Sequence, residues 1–563
     1  MNIQRKTIYK AATAFAAAAS LALSGCSSGQ DAAEEQVEVS LNGAYNPQDR
    51  GNLQQGGELR LALGELSEQQ NPFQADGTAY TNTIWRYYNP QIGLFDGEGN
   101  FSANDAYISD IKDEEQGGKR KVTYTIRDEA QYNDGTPIDW TSFEHTWKFN
   151  NGENKELNVS STDGYELIES VTRGENEKQA VVTFENEYPW WQGLFNFLLP
   201  PQVDSAEKFN EAYVNKLHPE WGAGPYKVDN ADFQSGTVTF VPNEKWWGDK
   251  PVLDKVTYRY MDSQASINAF KAGEIDATGV ASKDRLASVK DMPGIEVRTA
   301  IRPSNALITL NSESPNLEDK AVREAIMRGI DRSQLAEIRF NGIGYSEDLP
   351  GSLNLVQTQD GYEDNFGAVV QFEPDKAKQL LDDAGWTAGD DGIREKDGEK
   401  LSLRYVLLGD DPTSKAEAGA TQKMLRDIGV DLRIEERPAS DFSKIASERD
   451  FDVFPMGFSM GDPYGVAYFG QIYRSNSELN KSGTGTAELD KKIDELQQIG
   501  DKDEQIKRSN ELEKEAFKEY GLMPFANGPD MSAVKEGLAN LGGYSFAVVP
   551  VEDIGWEKGS EQK

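Results

Sequence analysis

The only cysteine of the chain, Cys26, directly follows a short uncharged segment near the N-terminus. Arg5, Lys6 and Lys10 precede that segment, and residues 11–23 are apolar or small throughout. A stretch of about a dozen such residues is typical of a secretion signal and is too short to span a bilayer. No later stretch approaches the ~20 apolar residues of a transmembrane helix. A chain with one cysteine forms no internal disulfide, so its fold must depend on hydrophobic cores.

The residues Leu23-Ser24-Gly25-Cys26 resemble the bacterial lipobox, in which a small pair precedes a cysteine that becomes acylated. This resemblance implies a signal peptide over residues 1–25 and a mature chain that begins at lipidated Cys26. Two acyl chains are enough for stable anchoring. We therefore expect a lipid-anchored protein at the extracytoplasmic face of the cell membrane. The alternative is an ordinary signal sequence beside an unrelated cysteine.

The net charge and the histidine count exclude several classes of ligand. The formal charge is −37, and removal of residues 1–25 takes away three positive charges to leave −40. Such a charge opposes binding to nucleic acid or anionic lipid, although a solvated acidic surface explains it without any cationic ligand. The two histidines, His145 and His218, are too few for the usual zinc sites, and Asp382-Asp383 and Asp390-Asp391 lack EF-hand spacing. We expect no metal, no cofactor, no nucleic acid and a monomer.

The length and the composition predict a large folded body behind a polar leader. A chain of 563 residues with 37% hydrophobic and 10% aromatic residues can form two to four domains with sizeable cores. Residues 27–56 are polar and rich in Gly, Gln, Glu and Asn, which predicts a flexible tether over residues 26–56. The folded part is expected to begin at Gly57.

The hydrophobic periodicity predicts an α/β fold. Alternating and β-branched residues predict strands over 58–63, 122–126, 179–184, 237–241, 255–260, 401–408, 430–435 and 451–458. Helical spacing predicts helices over 264–272, 317–329, 374–384, 416–428, 488–498 and 503–520, several of which stop at glycine. Strands and helices alternate in the second half, as in βαβ units.

Six segments occur in an order that is specific in combination, although each is weak alone. They are Tyr124–Pro137 with its Asp-Gly-Thr-Pro turn, Gly222–Lys227, Asn243–Gly248, Phe270–Asp276, Asp319–Ala325 with Gly329–Arg332, and Lys376–Trp386. Between about residues 57 and 556 the chain resembles the family 5 extracellular solute-binding proteins of ABC importers, the peptide and nickel binding family, and most of all its actinobacterial lipoprotein members. It departs from the family pattern at Ala223, where threonine is usual, and at Trp246, where tyrosine is usual.

The resemblance implies a two-lobed periplasmic-binding-protein-like fold of type II, in the large peptide-binder class, with a ligand cleft between the lobes. Lobe one is expected over residues 57–301 plus 527–556 and lobe two over 302–526, with crossings near 299–305 and 523–528. The implied function is capture of di- to oligopeptides and delivery to an ABC permease and its ATPase subunits, without catalysis. The alternatives within this fold are a sugar, metal-chelate or other small-solute receptor, or a scaffold that no longer binds ligand.

The sequence Gly457-Phe458-Ser459-Met460-Gly461 matches the Gly-x-Ser-x-Gly nucleophile elbow of α/β-hydrolases. The elbow needs a helix directly after it, whereas Asp462-Pro463 follows here, and no histidine lies beyond His218. A glycine-rich loop in a ligand cleft explains the motif better than a serine hydrolase that acts through Ser459.

The resemblance also implies a set of ligand-binding residues. Asp462 stands near the place where peptide-binding members pair an aspartate with the α-amino group of the ligand, although it could instead be a structural turn residue. Position relative to the predicted strands adds six residues, each of which could equally be core: Gly457, Phe458, Tyr464, Thr78, Tyr80 and Trp85. Aromatic walls suit varied side chains because they offer area with little specificity. Trp190-Trp191 and Trp246-Trp247 are expected to be packing residues.

Overall fold

The computed structural model describes residues 37–560. Cys26, the signal peptide predicted over residues 1–25 and the first part of the predicted tether lie outside the described residues. Within residues 37–560, no helix combines the length and the apolar character that crossing a membrane requires.

The strands in chain order are β1 Glu58–Leu63, β2 Gly93–Phe95, β3 Phe101–Ala103, β4 Ile108–Glu115, β5 Arg120–Ile126, β6 Ile168–Arg173, β7 Gln179–Phe184, β8 Tyr226–Asp232, β9 Thr237–Pro242, β10 Lys255–Tyr260, β11 Ala277–Gly279, β12 Ile295–Ile301, β13 Ser304–Leu310, β14 Thr387–Ala388, β15 Arg394–Lys396, β16 Glu399–Lys400, β17 Ser402–Leu408, β18 Asp431–Arg437, β19 Val453–Ser459, β20 Leu522–Ala526, β21 Pro529–Lys535, β22 Leu538–Ala539 and β23 Gly555–Trp556.

The α-helices are α1 Ala79–Tyr88, α2 Trp140–Asn150, α3 Ala206–Glu211, α4 Ser263–Lys271, α5 Lys283–Val289, α6 Lys320–Gly329, α7 Arg332–Phe340, α8 Pro374–Asp383, α9 Pro412–Asp427, α10 Phe442–Glu448, α11 Phe469–Tyr473, α12 Ala487–Gln497 and α13 Lys502–Phe517. Short 3-10 turns lie at Arg50–Asn52, Tyr165–Leu167, Trp191–Gly193, Pro219–Trp221, Ala439–Asp441, Gly465–Tyr468 and Val551–Asp553.

Three sheets, which we call the first, second and third sheet, organise these elements. The first is seven-stranded in the order β12-β21-β11-β1-β10-β9-β8, with β1 parallel to both β10 and β11. The second is four-stranded and antiparallel, in the order β4-β5-β7-β6. The third is five-stranded, in the order β18-β17-β19-β13-β20, with β17 parallel to β18 and β19. Clusters of buried apolar side chains pack against these sheets, and the largest joins Met531 and Ala533 of the first sheet to residues of the third.

The chain crosses between the first and third sheets at two adjacent places. It leaves β12 at Ile301 and enters β13 at Ser304, and it returns from β20 at Ala526 to β21 at Pro529. The two passages lie side by side, because β12 pairs with β21 in the first sheet and β13 pairs with β20 in the third. The connections themselves are residues 302–303 and 527–528, and the division of the chain into lobes stays a prediction.

The side chain of Asn527 ties the two passages together. Its amide Nδ2 donates to the carbonyl of Ser304 at 2.7 Å and to Oδ1 of Asn305 at 2.9 Å. The Glu347 carboxylate accepts the backbone N–H groups of Asn527, at 2.6 Å, and of Gly528, at 3.1 Å. Gly528 has φ +77°, a conformation that glycine adopts without the steric cost a side chain would bring.

The strands and helices predicted from periodicity are present with small shifts at their ends. Strands β1, β7 and β10 match their predicted bounds, and the helix predicted over 416–428 begins earlier, at Pro412. The glycines predicted to end helices, Gly273, Gly385 and Gly429, all have positive φ, which is the usual helix C-terminal conformation.

The tether prediction is wrong for residues 37–56, which pack on the folded body. The backbone N–H of Ser40 donates to the Thr299 carbonyl at 3.0 Å, and Ala44 bridges to Gly543. Leu53 is 1% exposed in the core of the first sheet. Polar composition predicts flexibility because it offers little apolar burial, whereas this segment is held by backbone hydrogen bonds, which composition does not show.

A polar contact joins the loop before β6 to the helices beside the third sheet. Asp163 is buried, and its carboxylate accepts the backbone N–H of Gln471 at 2.6 Å and the side-chain N–H of Gln497 at 2.7 Å. Arg474 reaches Glu166 across the same boundary at 3.3 Å. Burial, followed by the charge of Glu166, raises the pKa of Asp163 to about 7, and Arg474 opposes this rise.

The raised pKa makes the stability of the protein depend on pH. The contribution of Asp163 is complete below the ordinary aspartate pKa of 3.8 and is lost as the pH rises through about 7. We expect the melting temperature of Asp163→Asn, which cannot ionise, to fall less between pH 4.5 and pH 7.5 than that of the wild type. Thermal unfolding of the full-length protein measures this. The exposed Asp128→Asn variant should keep the wild-type profile, and parallel profiles for Asp163→Asn and the wild type would contradict the prediction.

Candidate ligand site at Asp462

Asp462 lies on the loop that follows β19 and is buried without a cation beside it. Its side chain is 5% exposed, with Oδ1 accepting the backbone N–H of Tyr464 at 2.8 Å and Oδ2 accepting the hydroxyl of Tyr468 at 2.7 Å. No Lys or Arg among residues 37–560 forms an ion pair with it. Burial raises its pKa to about 6, since its hydrogen bonds only partly offset the loss of water.

The Tyr468 hydroxyl lies between the Asp462 carboxylate and the turn Trp191–Gly193. Besides Asp462 it contacts the backbone carbonyl of Gly193, at 3.3 Å, in the turn Trp191–Gly193. A tyrosine hydroxyl has one proton, so it can donate to the carboxylate or to the carbonyl but not fully to both. The Gly193 carbonyl also accepts the Asn196 side-chain N–H at 3.2 Å, so the carboxylate and the carbonyl share only the Tyr468 hydroxyl.

This arrangement suits a primary ammonium group. Such a group carries three N–H donors and a positive charge, and hydrogen bonds from a charged donor to a carboxylate are short and strong. Burial of a carboxylate without a cation is unfavourable, and the positive charge of an ammonium group would offset that cost.

Aromatic rings enclose the same place. The ring of Tyr464 packs edge-on against Phe95, with centroids 5.9 Å apart, and lies 5.8 Å from the ring of Trp190. Trp190 also donates its indole N–H to Gln505 of α13, and the Lys502 ammonium lies 5.3 Å from its ring centroid. Trp190 is thus a packing residue, as expected, and its side chain contacts both Tyr464 and Gln505 of α13.

Gly457 and Phe458, predicted to be ligand-binding, lie on β19 just before the Asp462 loop. Gly457 is exposed and Phe458 half-buried, and they pair with Ala306 and Asn305 of β13. A side chain at position 457 would lie 2.7 Å from the Asn305 carbonyl oxygen, so glycine allows the strands to approach. Their contact with ligand stays a prediction.

Thr78 and Tyr80 begin α1 at a different part of the boundary. Thr78 caps the helix by accepting the Tyr80 N–H at 3.2 Å, and its hydroxyl contacts that of Ser67 at 2.5 Å. The Tyr80 side chain is 36% exposed, and its hydroxyl lies against Gly64, next to the buried carboxyl of Glu65. Thr78 has a structural role as a cap, and the ligand role of Tyr80 stays a prediction.

Trp85 is a core residue, and its predicted place in the cleft is wrong. It is 1% exposed, and its ring packs against Phe73, Tyr88 and Tyr213. The prediction used only its nearness to β1 in the chain. Trp85 belongs instead to the apolar cluster of the first sheet, together with Ile84 and Tyr88 of the same helix.

The hydrolase alternative receives no support from the surroundings of Ser459. Ser459 is still part of β19, and the next helical turn begins only at Gly465. Both ring nitrogens of His218 are engaged, by Glu220 and by the Ala212 carbonyl, while the His145 ring packs on Phe149. An elbow needs a strand that passes directly into a helix, and Ser459 at the end of β19 does not have that arrangement.

Two residues beside Asp462 could not be predicted from the sequence: Gly193 and Tyr468. Tyr468 is six residues beyond Asp462 and meets it only through the turn of the intervening loop. Gly193 lies 269 residues before Asp462, and nothing in its local sequence marks it as a partner. A cavity of about 760 Å³ beside α7 contains none of the predicted site residues, and the Arg332 guanidinium there is bonded to the Pro350 and Pro524 carbonyls.

Other proteins are similar to this chain in both sequence and fold. Residues 110–480 match the bacterial extracellular solute-binding proteins, family 5 Middle. The chain is 32% identical over 550 residues to the oligopeptide-binding protein OppA of Mycobacterium tuberculosis strain H37Rv, covering 95% of this chain and 92% of that protein. The protein belongs to family 5 of the extracellular solute-binding proteins. The predicted family is thereby confirmed.

Other similarities agree with this family-5 membership. The nickel-binding periplasmic protein of Escherichia coli K12 is 25% identical over 77% of this chain and 83% of its own length. Among solved structures, the periplasmic EDTA-binding protein EppA superposes with a TM-score of 0.77 at 24% identity, covering 93% of this chain and 99% of EppA. AppA of Bacillus subtilis, in complex with a nonapeptide, gives 0.76 at 20% identity, covering 90% and 100%. The two-lobed α/β fold is confirmed. Within residues 37–560 no cluster of three His, Cys, Asp or Glu residues could hold a metal ion.

The close approach at Gly193 yields a stability prediction. A methyl group added there would lie 2.8 Å from the Tyr468 hydroxyl and 3.5 Å from Oδ2 of Asp462, so Tyr468 would have to move. We expect Gly193→Ala to lower the free energy of unfolding by about 1–3 kcal/mol. Gly461→Ala is the matched control, because a methyl group there meets nothing within 4 Å. Denaturant titration measures both, and equal stability of the two variants would contradict the prediction.

Proposed function

We propose that this family-5 protein is the peptide receptor of an ABC importer, and that Asp462 binds the α-amino group of the peptide. The observation that carries the proposal is the buried Asp462 carboxylate, which has hydrogen bonds from Tyr464 and Tyr468 but no cation. An α-amino group is common to all unblocked peptides, so an anchor for it accepts many sequences. The 32% identical mycobacterial relative is an oligopeptide-binding protein, which favours the same ligand class.

We further propose that the lobes are residues 57–301 plus 527–556 and residues 302–526, with the hinge at the two crossings. All strands of the first and second sheets fall within the first range, and all strands of the third within the second. The connections at 302–303 and 527–528 are the short segments that would absorb a change of angle. Asp462 would then belong to lobe two and Gly193 to lobe one, so a ligand amine between them would favour the closed form.

Closure would prepare the protein for its membrane partners. A ligand that contacts both lobes stabilises the closed arrangement only to the extent that it binds this form more tightly than the open one. The permease with its ATPase subunits would receive the closed, loaded receptor, and the lipid on Cys26 would keep that receptor close to the membrane. No catalytic step is part of this function.

The anchor role of Asp462 is tested with penta-alanine and its N-acetylated form. Acetylation removes the charge, so the full-length wild type in detergent should bind the free peptide about a hundredfold more tightly than the blocked one. Asp462→Asn should lose about the same factor for the free peptide and bind both peptides alike. Titration calorimetry measures the affinities.

The exposed Asp383→Asn variant serves as the matched control in lobe two and should behave as the wild type. Asp462→Asn should unfold at a temperature equal to or above that of the wild type, because it removes a buried charge without a partner. Undiminished binding of the free peptide by Asp462→Asn would refute the anchor. Binding of neither peptide by the wild type, with a single non-peptide mass in native mass spectra of the purified protein, would favour a non-peptide receptor.

The anchor on Cys26 is tested separately in cells. With Cys26→Ala the acyl acceptor is absent, so we expect the protein to move from the detergent phase to the aqueous phase in Triton X-114 partition. Wild-type protein should enter the detergent phase and should carry an added mass at its N-terminus in mass spectra. A serine variant of a residue just beyond, such as Gly29→Ser, should partition like the wild type. Equal partition of the wild type and Cys26→Ala would show that the chain is not lipid-anchored.

A further inference from the structure

A second buried carboxyl, Glu65, lies at the boundary between the first-sheet and third-sheet sides. Glu65 follows β1 and is 8% exposed. The hydroxyl of Ser443, on α10, donates to its Oε1 at 3.3 Å across the boundary. Among the described residues 37–560, the hydrogen-bond partners of this carboxyl are the hydroxyls of Ser443 and Ser67.

Hydroxyl groups surround this carboxyl on several sides. Ser67 and Thr78 have their hydroxyls 2.5 Å apart on the first-sheet side, and Ser443 approaches from α10. The Tyr80 hydroxyl lies over the Gly64 backbone, where an added methyl group would be 2.5 Å from the hydroxyl oxygen. Burial raises the pKa of Glu65, and the Ser443 and Ser67 hydroxyls only partly offset this.

A carboxyl group with neutral hydroxyl neighbours lacks the partner that a buried charge normally has. Buried carboxylates in proteins are usually paired with a cation, since solvation by hydroxyls alone does not replace water. Hydroxyls can both donate to the carboxylate and accept from an ammonium or guanidinium. The partly exposed Tyr80 ring lies in the same region, and aromatic rings attract cations. The Arg302 guanidinium also acts on the Tyr80 hydroxyl and opposes the rise of its pKa that burial causes.

We propose that Glu65, with Tyr80 and Ser443, binds the basic side chain of a ligand and so makes the receptor prefer peptides that contain lysine or arginine. This inference rests on the proposed peptide function but concerns a different part of the boundary from Asp462. Asp462 would hold the peptide terminus, whereas Glu65 would select among side chains. The ligand cation would replace the missing partner of Glu65 and would join the two lobes through Glu65 and Ser443.

The test uses penta-alanine in which one residue at a time is replaced by lysine or by norleucine, a side chain of similar length without charge. We expect the full-length wild type to bind the lysine peptide about tenfold more tightly than the norleucine peptide at one position. In Glu65→Gln this ratio should fall to about one, while the affinity for the norleucine peptide stays within about twofold of wild type. Because the ratio is taken within one variant, a small loss of folded protein does not affect it.

Two further variants, Glu68→Gln and Ser443→Ala, distinguish side-chain selection by Glu65 from a role that is limited to joining the lobes. Glu68→Gln changes an exposed carboxylate three residues further along and should keep the wild-type ratio. If Glu65 only joins the lobes, Glu65→Gln and Ser443→Ala will lower the affinity for both peptides equally, and the inference is overturned. It is also overturned if the wild type shows no preference for lysine at any position. In that case free-amine peptides still bind through Asp462, whereas failure of the proposed function would show as no binding of any free-amine peptide.

Discussion

The geometry of the site depends on the paired strands at the two crossings of the chain. Strand β12 of the first sheet leads into β13 of the third, and β20 of the third leads back into β21 of the first, so the chain passes between these sheets through two short connections. The Asn527 amide bonds to Ser304 and Asn305 and fixes these connections to one another. In the proposed hinge, a change of angle in these two connections would move one lobe as a unit, because strands are stiff along their length.

Buried carboxyls without cations lie along the boundary that these crossings create. Asp462 and Glu65 are each held by hydrogen bonds from neutral groups, and burial raises the pKa of both. Asp163 differs, since Arg474 approaches the same cluster and two N–H groups satisfy its oxygens. We propose a ligand cation as the partner of the first two carboxyls, whereas Asp163 already joins the two sides through its hydrogen bonds. The carboxyls differ because the fold places Arg474 near Asp163, whereas it gives Asp462 and Glu65 only neutral hydrogen-bond donors.

Much of the fold could be predicted from the sequence because it is recorded in local patterns. Periodicity predicted strands such as β1, β7 and β10 with their correct bounds, and glycines predicted the ends of three helices. The order of the six motifs predicted the family, which the comparisons confirm. The predictions for Trp85 and for residues 37–56 were wrong. In both cases the deciding interaction was burial or backbone pairing with residues far along the chain.

The sequence by itself determined the secondary structure, the family and the place of Asp462 on a loop after a strand, because each depends on neighbouring residues or on an ordered set of motifs. Only the tertiary structure decided that Asp462 is buried opposite Gly193, and that Glu65 meets Ser443 across the boundary. These partners are 269 and 378 residues apart in the chain. A contact of that kind is produced by sheet order and crossing geometry, which no local pattern encodes.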